Sequence, residues 1–266
     1  MNAGQGQPIA LSHSGAFAPQ PGAAPLLQRV RAQALMEAKL MMRNGEQLLL
    51  ALVIPLLLLI GGVLGTQRLG IDLGGRAVDV LTPGVLALAV MSTAFTSLAV
   101  ATGFERRYGV IKRLGATPLG REGLLLGKIA ALLLVQLIQF VVIAVAAALL
   151  GWQPRISVPG LVLAVVLGTA AFAAWGLALA GTLRAEATLA AANLIYLLLL
   201  TAGAVVLPSS SYGSFGQIAA WLPSGALGEA MRGALGAGEL RPSALVILLA
   251  WAILGTVITR RSFTWD

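Results

Sequence analysis

The sequence predicts an all-α integral membrane protein with six transmembrane helices, an amphipathic helix before the first span and short re-entrant helices before the last. Three observations carry that expectation. The 266 residues are 58% hydrophobic and only 11% charged, with a mean hydropathy of +0.89, whereas soluble domains carry about 25% charged residues. Nearly charge-free runs recur, each of about 20 residues and therefore long enough to cross a hydrocarbon core as a helix. The basic residues that give the net charge of +8 flank those runs. A transmembrane barrel is excluded because it needs short alternating segments rather than unbroken apolar runs.

Residues 1–25 hold Gly4, Gly6, Pro8, Pro19, Pro21 and Pro25 without a Lys or Arg, and His13 is the single histidine. This composition is that of a disordered cytoplasmic tail, not of a signal peptide. From Leu26 to Glu46, Arg29, Arg31, Glu37, Lys39 and Arg43 alternate with Leu27, Val30, Leu35, Met36, Leu40 and Met41, which predicts a helix lying at the membrane surface. The first span follows over Gln47–Leu64. Within it Pro55 either bends the helix or sits where a neighbour satisfies the carbonyl it frees.

The second span is expected over Pro83–Phe104, with a hydroxyl stripe of Ser92, Thr93, Thr96, Ser97 and Thr102. The third covers Ile129–Leu150 and carries Gln136 and Gln139 three residues apart on one face. The fourth, Pro159–Ala180, has small residues from Ala170 to Gly176 that permit close helix contact. The fifth, Ala187–Leu207, encloses Asn193. Residues 208–242 are too broken for a span but hold Ile218, Trp221, Leu227 and Met231, which predicts two short helices dipping into the outer interface and parted by Pro223. The last span, Ser243–Thr259, ends in an anchor of Arg260, Arg261, Phe263 and Trp265. Ser92, Thr96, Gln136, Gln139 and Asn193 are the candidates for lining a pathway or for joining helices.

With six spans, all of the 18 Lys and Arg residues except Arg68, Arg76, Arg155, Arg232 and Arg241 fall on one side. The positive-inside rule then places both termini in the cytoplasm.

The segment from Glu105 to Lys128 is the most charged in the chain, and its first part, to Leu119, is the most informative. It reads as a short helix over Glu105–Leu114, with Tyr108, Ile111 and Leu114 along one side, Arg106, Arg107, Lys112 and Arg113 beside them, and a break at Gly115 and Pro118. Thr117 stands where it caps the next helix and Pro118 at that helix's first position. A loop that served only to set topology would need the charge but not the Gly-Ala-Thr-Pro break.

These residues resemble the segment after the second span in ABC-2 type permeases, especially small bacterial permeases of the daunorubicin-resistance type, and the ending Arg260-Arg261-Ser262-Phe263-Thr264-Trp265-Asp266 is similar to that family's. The resemblance covers 26–266 as one transmembrane domain. It implies a permease subunit in the bacterial cytoplasmic membrane that pairs with a second copy of itself and with an ABC ATPase. ATP and Mg would be bound by that ATPase, and no cofactor by this chain. Glu105, Arg106, Arg107, Tyr108, Ile111, Lys112, Arg113, Leu114, Gly115 and Pro118 would then form the coupling helix seated on the ATPase. A cargo passing at the dimer interface should match the apolar wall of the spans, which predicts a hydrophobic or amphiphilic compound, a drug-like molecule or lipid.

The residues themselves exclude other chemistry. There is no phosphate-binding Gly-rich loop with its Lys, and one His with no Cys assembles neither a zinc protease nor a triad. No expected span centre holds an ionisable residue, which disfavours a secondary transporter and leaves the coupling energy to another subunit. The basic residues lie at membrane surfaces, not in a nucleic-acid patch. A non-transporting scaffold or sensor docking a cytoplasmic partner through the same basic elbow is the rival reading, and a secondary transporter the other.

Overall fold

The computed structural model describes Gly22 and residues 24–262. The tail with His13 and the aromatic pair Phe263 and Trp265 lie outside the described residues. Among those described, six helical segments are long and apolar enough to cross a membrane: Leu49–Leu69, Ala77–Arg107, Glu122–Leu149, Val158–Thr182, Ala185–Ala202 and Pro242–Arg261. The described residues thus form the expected all-α fold, with six long apolar helices consistent with six spans.

Helix α1 (Leu26–Arg43) lies against the third span through Ala34 and Ala38, whose small side chains are buried. Ala38 packs there on Ala131 and Val135. The first span is built from α2 (Gly45–Leu48), a π-helical turn (Leu49–Val53) and α3 (Ile54–Leu69). Pro55 has no N–H, so the carbonyl of Ala51 loses its ordinary intrahelical donor. Gln139 of the third span supplies the replacement, its Nε2 donating to the Ala51 oxygen at 2.6 Å.

The second span joins α4 (Ala77–Met91), a π-helical stretch (Ser92–Ser97) and α5 (Leu98–Arg107). In its most apolar stretch 94% of residues are buried, against 22% for the first and fifth spans, so it is the axis on which the first, third, fourth and fifth spans pack, while the last packs on the fourth. It begins at Ala77, six residues before the expected Pro83. A proline surrounded by neighbouring helices does not end a helix as it would in water.

Close approach to this axis depends on glycine. A Cβ on Gly84 would lie 2.2 Å from the Val206 carbonyl oxygen, and one on Gly176 would lie 2.8 Å from the Phe95 carbonyl oxygen. Gly84→Ala is therefore expected to lower stability by about 1–3 kcal/mol through overpacking. Thermal unfolding in detergent checks this, and an unchanged midpoint would show that residues 205–206 give way freely.

After α5 come a short α6 (Val110–Gly115) and the 30-residue α7 (Gly120–Leu149), which is the third span. The fourth and fifth spans are α8 (Val158–Thr182) and α9 (Ala185–Ala202). The fifth span stops five residues before the expected Leu207. Residues 204–207 are apolar enough to pass for span, but the chain turns back at Ala204, whose φ is +52°.

Two short helices follow, α10 (Phe215–Trp221) and α11 (Pro223–Arg232), parted at Pro223 as expected. The first exposes Phe215, Ile218 and Trp221, whereas the second is almost wholly buried among α4, α8 and α12 (Pro242–Ser262), with Leu227 and Met231 fully enclosed. The loop before α8 ties to the residues after α11, Arg155 N donating to Leu235 O at 3.1 Å and Ser157 N to Ala234 O at 2.7 Å.

Candidate coupling elbow and polar interior

The expected helix over Glu105–Leu114 is corrected by the backbone. Glu105, Arg106 and Arg107 are the last turn of α5, and the helix ends at Tyr108. Gly109 adopts the left-handed conformation (φ +67°) that glycine tolerates best, and α6 starts afresh at Val110. Tyr108 therefore shares no stripe with Ile111 and Leu114. It is 60% exposed, whereas Ile111 is buried at 6% and Leu114 is half-buried. The Tyr108 ring stacks on Phe104 with centroids 6.3 Å apart, and the Arg107 guanidinium lies over it at 5.7 Å.

The elbow closes much as its residue types suggest. Thr117 Oγ1 donates to Leu114 O at 2.6 Å and accepts from Leu119 N at 3.3 Å. Pro118 lies in the turn, two residues ahead of the expected place at the start of α7. Lys112, Arg113, Ala116, Thr117 and Pro118 are exposed, and Gly115 is partly covered. The solvent-facing tip of the elbow is thus Tyr108 with these residues.

The other charged residues of the segment turn inward or sideways. Glu105 forms an ion pair with Lys128 at 2.7 Å, and Lys128 also reaches Glu37 of α1 at 3.1 Å. Lys128 is only 5% exposed. One ammonium thus joins α1, the end of the second span and the start of the third. Arg106 Nη1 donates to the Ala180 carbonyl of α8, and Arg107 pairs with Glu186 of α9. The end of α5 is consequently tied to three other helices and, through Lys128, to α1.

Of the candidate polar residues, Gln139 has both ends engaged, since its Oε1 accepts from Thr93 Oγ1 at 2.9 Å while Nε2 serves Ala51. Gln136 accepts from Thr169 Oγ1 at 3.0 Å and is buried. Ser92 Oγ bonds its own helix at Ala89 O, 3.1 Å away, and Thr96 is buried in the π-helical stretch. Asn193 is half-buried on α9. The structure does not bring these five side chains to one surface. Gln139→Leu would leave the Ala51 carbonyl without a donor, and a loss of about 1–3 kcal/mol is expected. Thermal unfolding again reads it, and a neutral result would mean that the π-helical turn satisfies that carbonyl by itself.

A family model described as ABC-2 type transporter matches residues 29–235, which include most of α1, the first five spans, the elbow and the short helices. The chain belongs to the ABC-2 type transporter family. ABC-2 permeases are non-catalytic transport subunits, and the family implies pairing with a cognate ABC ATPase. No curated protein matches the chain. Among the described residues of this permease no cluster of His, Cys, Asp or Glu could hold a metal ion.

Sequence reasoning missed two charged clusters. The burial of Lys128 was signalled by its spacing, because Leu124, Ala131, Leu132 and Val135 lie three, four and seven residues from it and all are buried on the same helix face. The second cluster lies past the fifth span, where Arg232 donates to the carbonyls of Ala204, Val205 and Val206 at 3.1 to 3.3 Å and to Glu229 at 3.1 Å. Glu229 also accepts from Ser209 and Arg241. Burial alone would raise the Glu229 carboxyl, but Arg232, the Ser209 N–H and Arg241 outweigh it and hold the carboxyl below the ordinary range. A depressed carboxylate stabilises the fold at neutral pH and loses that effect as pH falls through its lowered value.

Proposed function

We propose that two copies of this ABC-2 permease form the membrane domain of an ATP-driven exporter in the bacterial cytoplasmic membrane, with both termini cytoplasmic. Two ABC ATPase subunits dock beneath, and they bind the ATP and Mg. The cargo is hydrophobic or amphiphilic, a drug-like molecule or a lipid. The observation that carries this reading is the elbow, a compact helical unit that exposes Tyr108, Lys112, Arg113 and Pro118 at one end of the bundle.

In this reading Glu105, Arg106 and Arg107 transmit motion, because their partners lie on α7, α8 and α9, while Tyr108, Lys112 and Arg113 meet the ATPase. Ile111 and Leu114 hold α6 against the bundle. Tyr108→Ala is the clean variant, since it leaves the charge pattern and the covered residues intact. Normal insertion, weakened ATPase binding and loss of transport-stimulated ATP hydrolysis are expected. Full assembly and transport would remove Tyr108 from the contact.

The overall reading is tested by reconstituting the permease with its ATPase in vesicles. ATP-dependent movement of an amphiphile supports it. An ATPase that binds without any cargo moving supports the scaffold instead, and transport driven by an ion gradient without the ATPase supports a secondary transporter. Gln136→Leu and Asn193→Leu are expected to shift selectivity among cargoes if those side chains face the pathway, and unchanged selectivity would assign them to packing.

A further inference from the structure

Two depressions meet on α8. One is an apolar cavity of about 410 Å³ walled by Phe95, Phe172, Trp175, Leu199 and Trp251, with Ile195 on its α9 side. That volume falls in the range of small-molecule sites, about 300–1,000 Å³. From Phe172 to Thr182 its α8 wall runs about 15 Å along the helix axis. Its indoles offer nothing polar to an occupant, because Trp175 Nε1 donates to Trp251 O at 3.2 Å and Trp251 Nε1 to Trp221 O at 2.9 Å. Thr182, also in the wall, turns its hydroxyl to Ala178 O and Leu179 O.

The other depression, about 510 Å³, shares Thr182 and opens at the elbow end of the bundle. Its walls carry Arg106, Arg107 and Arg184 against one acid, Glu186. Arg106 is engaged within the protein, donating to Ala180 O, and Arg107 pairs with Glu186, but a guanidinium has five N–H donors, more than one carboxylate takes from Arg107, and Arg184 stands exposed beside it. An apolar slot that needs no hydrogen bonds thus continues into a basic mouth.

We propose that the two depressions are one site for an anionic membrane lipid, the phosphate of its head on the arginines and one hydrocarbon chain among the aromatic rings. Charge complementarity chooses the head, since basic pockets between helices at a membrane surface hold anionic headgroups. The apolar wall, whose one hydroxyl is bonded within α8, chooses the tail. The site stands independently of ATP-driven export, and binding is measured without the ATPase.

The test uses the full chain in nanodiscs of phosphatidylcholine. Phosphatidylglycerol or phosphatidylcholine carrying brominated chains is titrated in, and quenching of Trp175 and Trp251 fluorescence is read. Phosphatidylglycerol is expected to quench at a mole fraction at least fivefold lower, one surface arginine being worth about that factor. Arg184→Gln, an exposed change, should bring the two lipids together by about fivefold. Ile195→Phe should reduce quenching by phosphatidylglycerol by filling the slot, with the unfolding midpoint as its control. Equal quenching by both lipids overturns the proposal, as does an Arg184→Gln variant with the full preference. Inorganic phosphate that abolishes the preference, with Ile195→Phe indifferent, would assign the arginines to a free anion and overturn it too.

Discussion

Replacing Lys128 by Met is expected to destabilise the permease by about 3–5 kcal/mol, because it strands carboxylates that were compensated inside the protein. Lys128 is 5% exposed, and the side chains of Glu37 and Glu105 are 11% and 22% exposed. Met retains the volume and apolar length of the stem, so the effect is one of charge and not of a cavity. The loss should show as a lowered unfolding midpoint in detergent and as freer exchange of α1 amides, since Glu37 is the α1 group that Lys128 holds. Adding Glu37→Gln and Glu105→Gln to Lys128→Met removes the stranded charges and should recover most of the loss. A single Lys128→Met variant as stable as the parent would mean that water reaches the triad.

Arg232→Met is expected to have an effect of similar size at the opposite end, about 3–5 kcal/mol, for a different reason. Here one guanidinium supplies donors to three successive carbonyls, Ala204, Val205 and Val206, and also neutralises Glu229. The first of those carbonyls belongs to Ala204 itself, whose left-handed backbone costs a non-glycine residue about 1–2 kcal/mol. The turn is therefore held by Arg232 and not by its own preference. Arg232→Lys should fail to rescue, because a point charge cannot reproduce a planar fork of donors. Exchange of the amides of residues 203–207, together with the unfolding midpoint, reads the result. Retained protection there would show that Gly84 and α11 hold the turn without the arginine.

The spans were legible because hydropathy over a window of helix length reports burial in lipid whatever the tertiary contacts, and Pro223 was legible as a break because proline cannot continue a helix from Leu222. The ends were less so. Hydropathy runs on through Ala204–Leu207 although the helix has stopped, and it drops at Pro83 although the helix continues. Pro55 with its freed carbonyl was foreseeable, whereas its partner Gln139 was not, since the pairing joins residues 88 apart in sequence.

At the elbow, charge and the Gly-Ala-Thr-Pro break were readable, but a spacing of three between Tyr108 and Ile111 implies one face only if the helix is continuous. Gly109 interrupts it. The buried Lys128 had a readable helical spacing. The Arg232 cluster had none, because its acceptors are backbone carbonyls.

On the proposed reading the elbow is the surface on which an ABC ATPase sits. The sequence contains no Cys, so one introduced thiol is unique. Cysteine is placed at exposed Arg113 on the elbow and, as control, at exposed Leu149 at the far end of α7. Each purified complex is treated with a short thiol-to-amine cross-linker. Arg113→Cys is expected to give a covalent permease–ATPase product that Leu149→Cys does not, and the yield should change when ATP is added. A complex that assembles and hydrolyses ATP yet cross-links equally from both positions, or from neither, would contradict docking at the elbow.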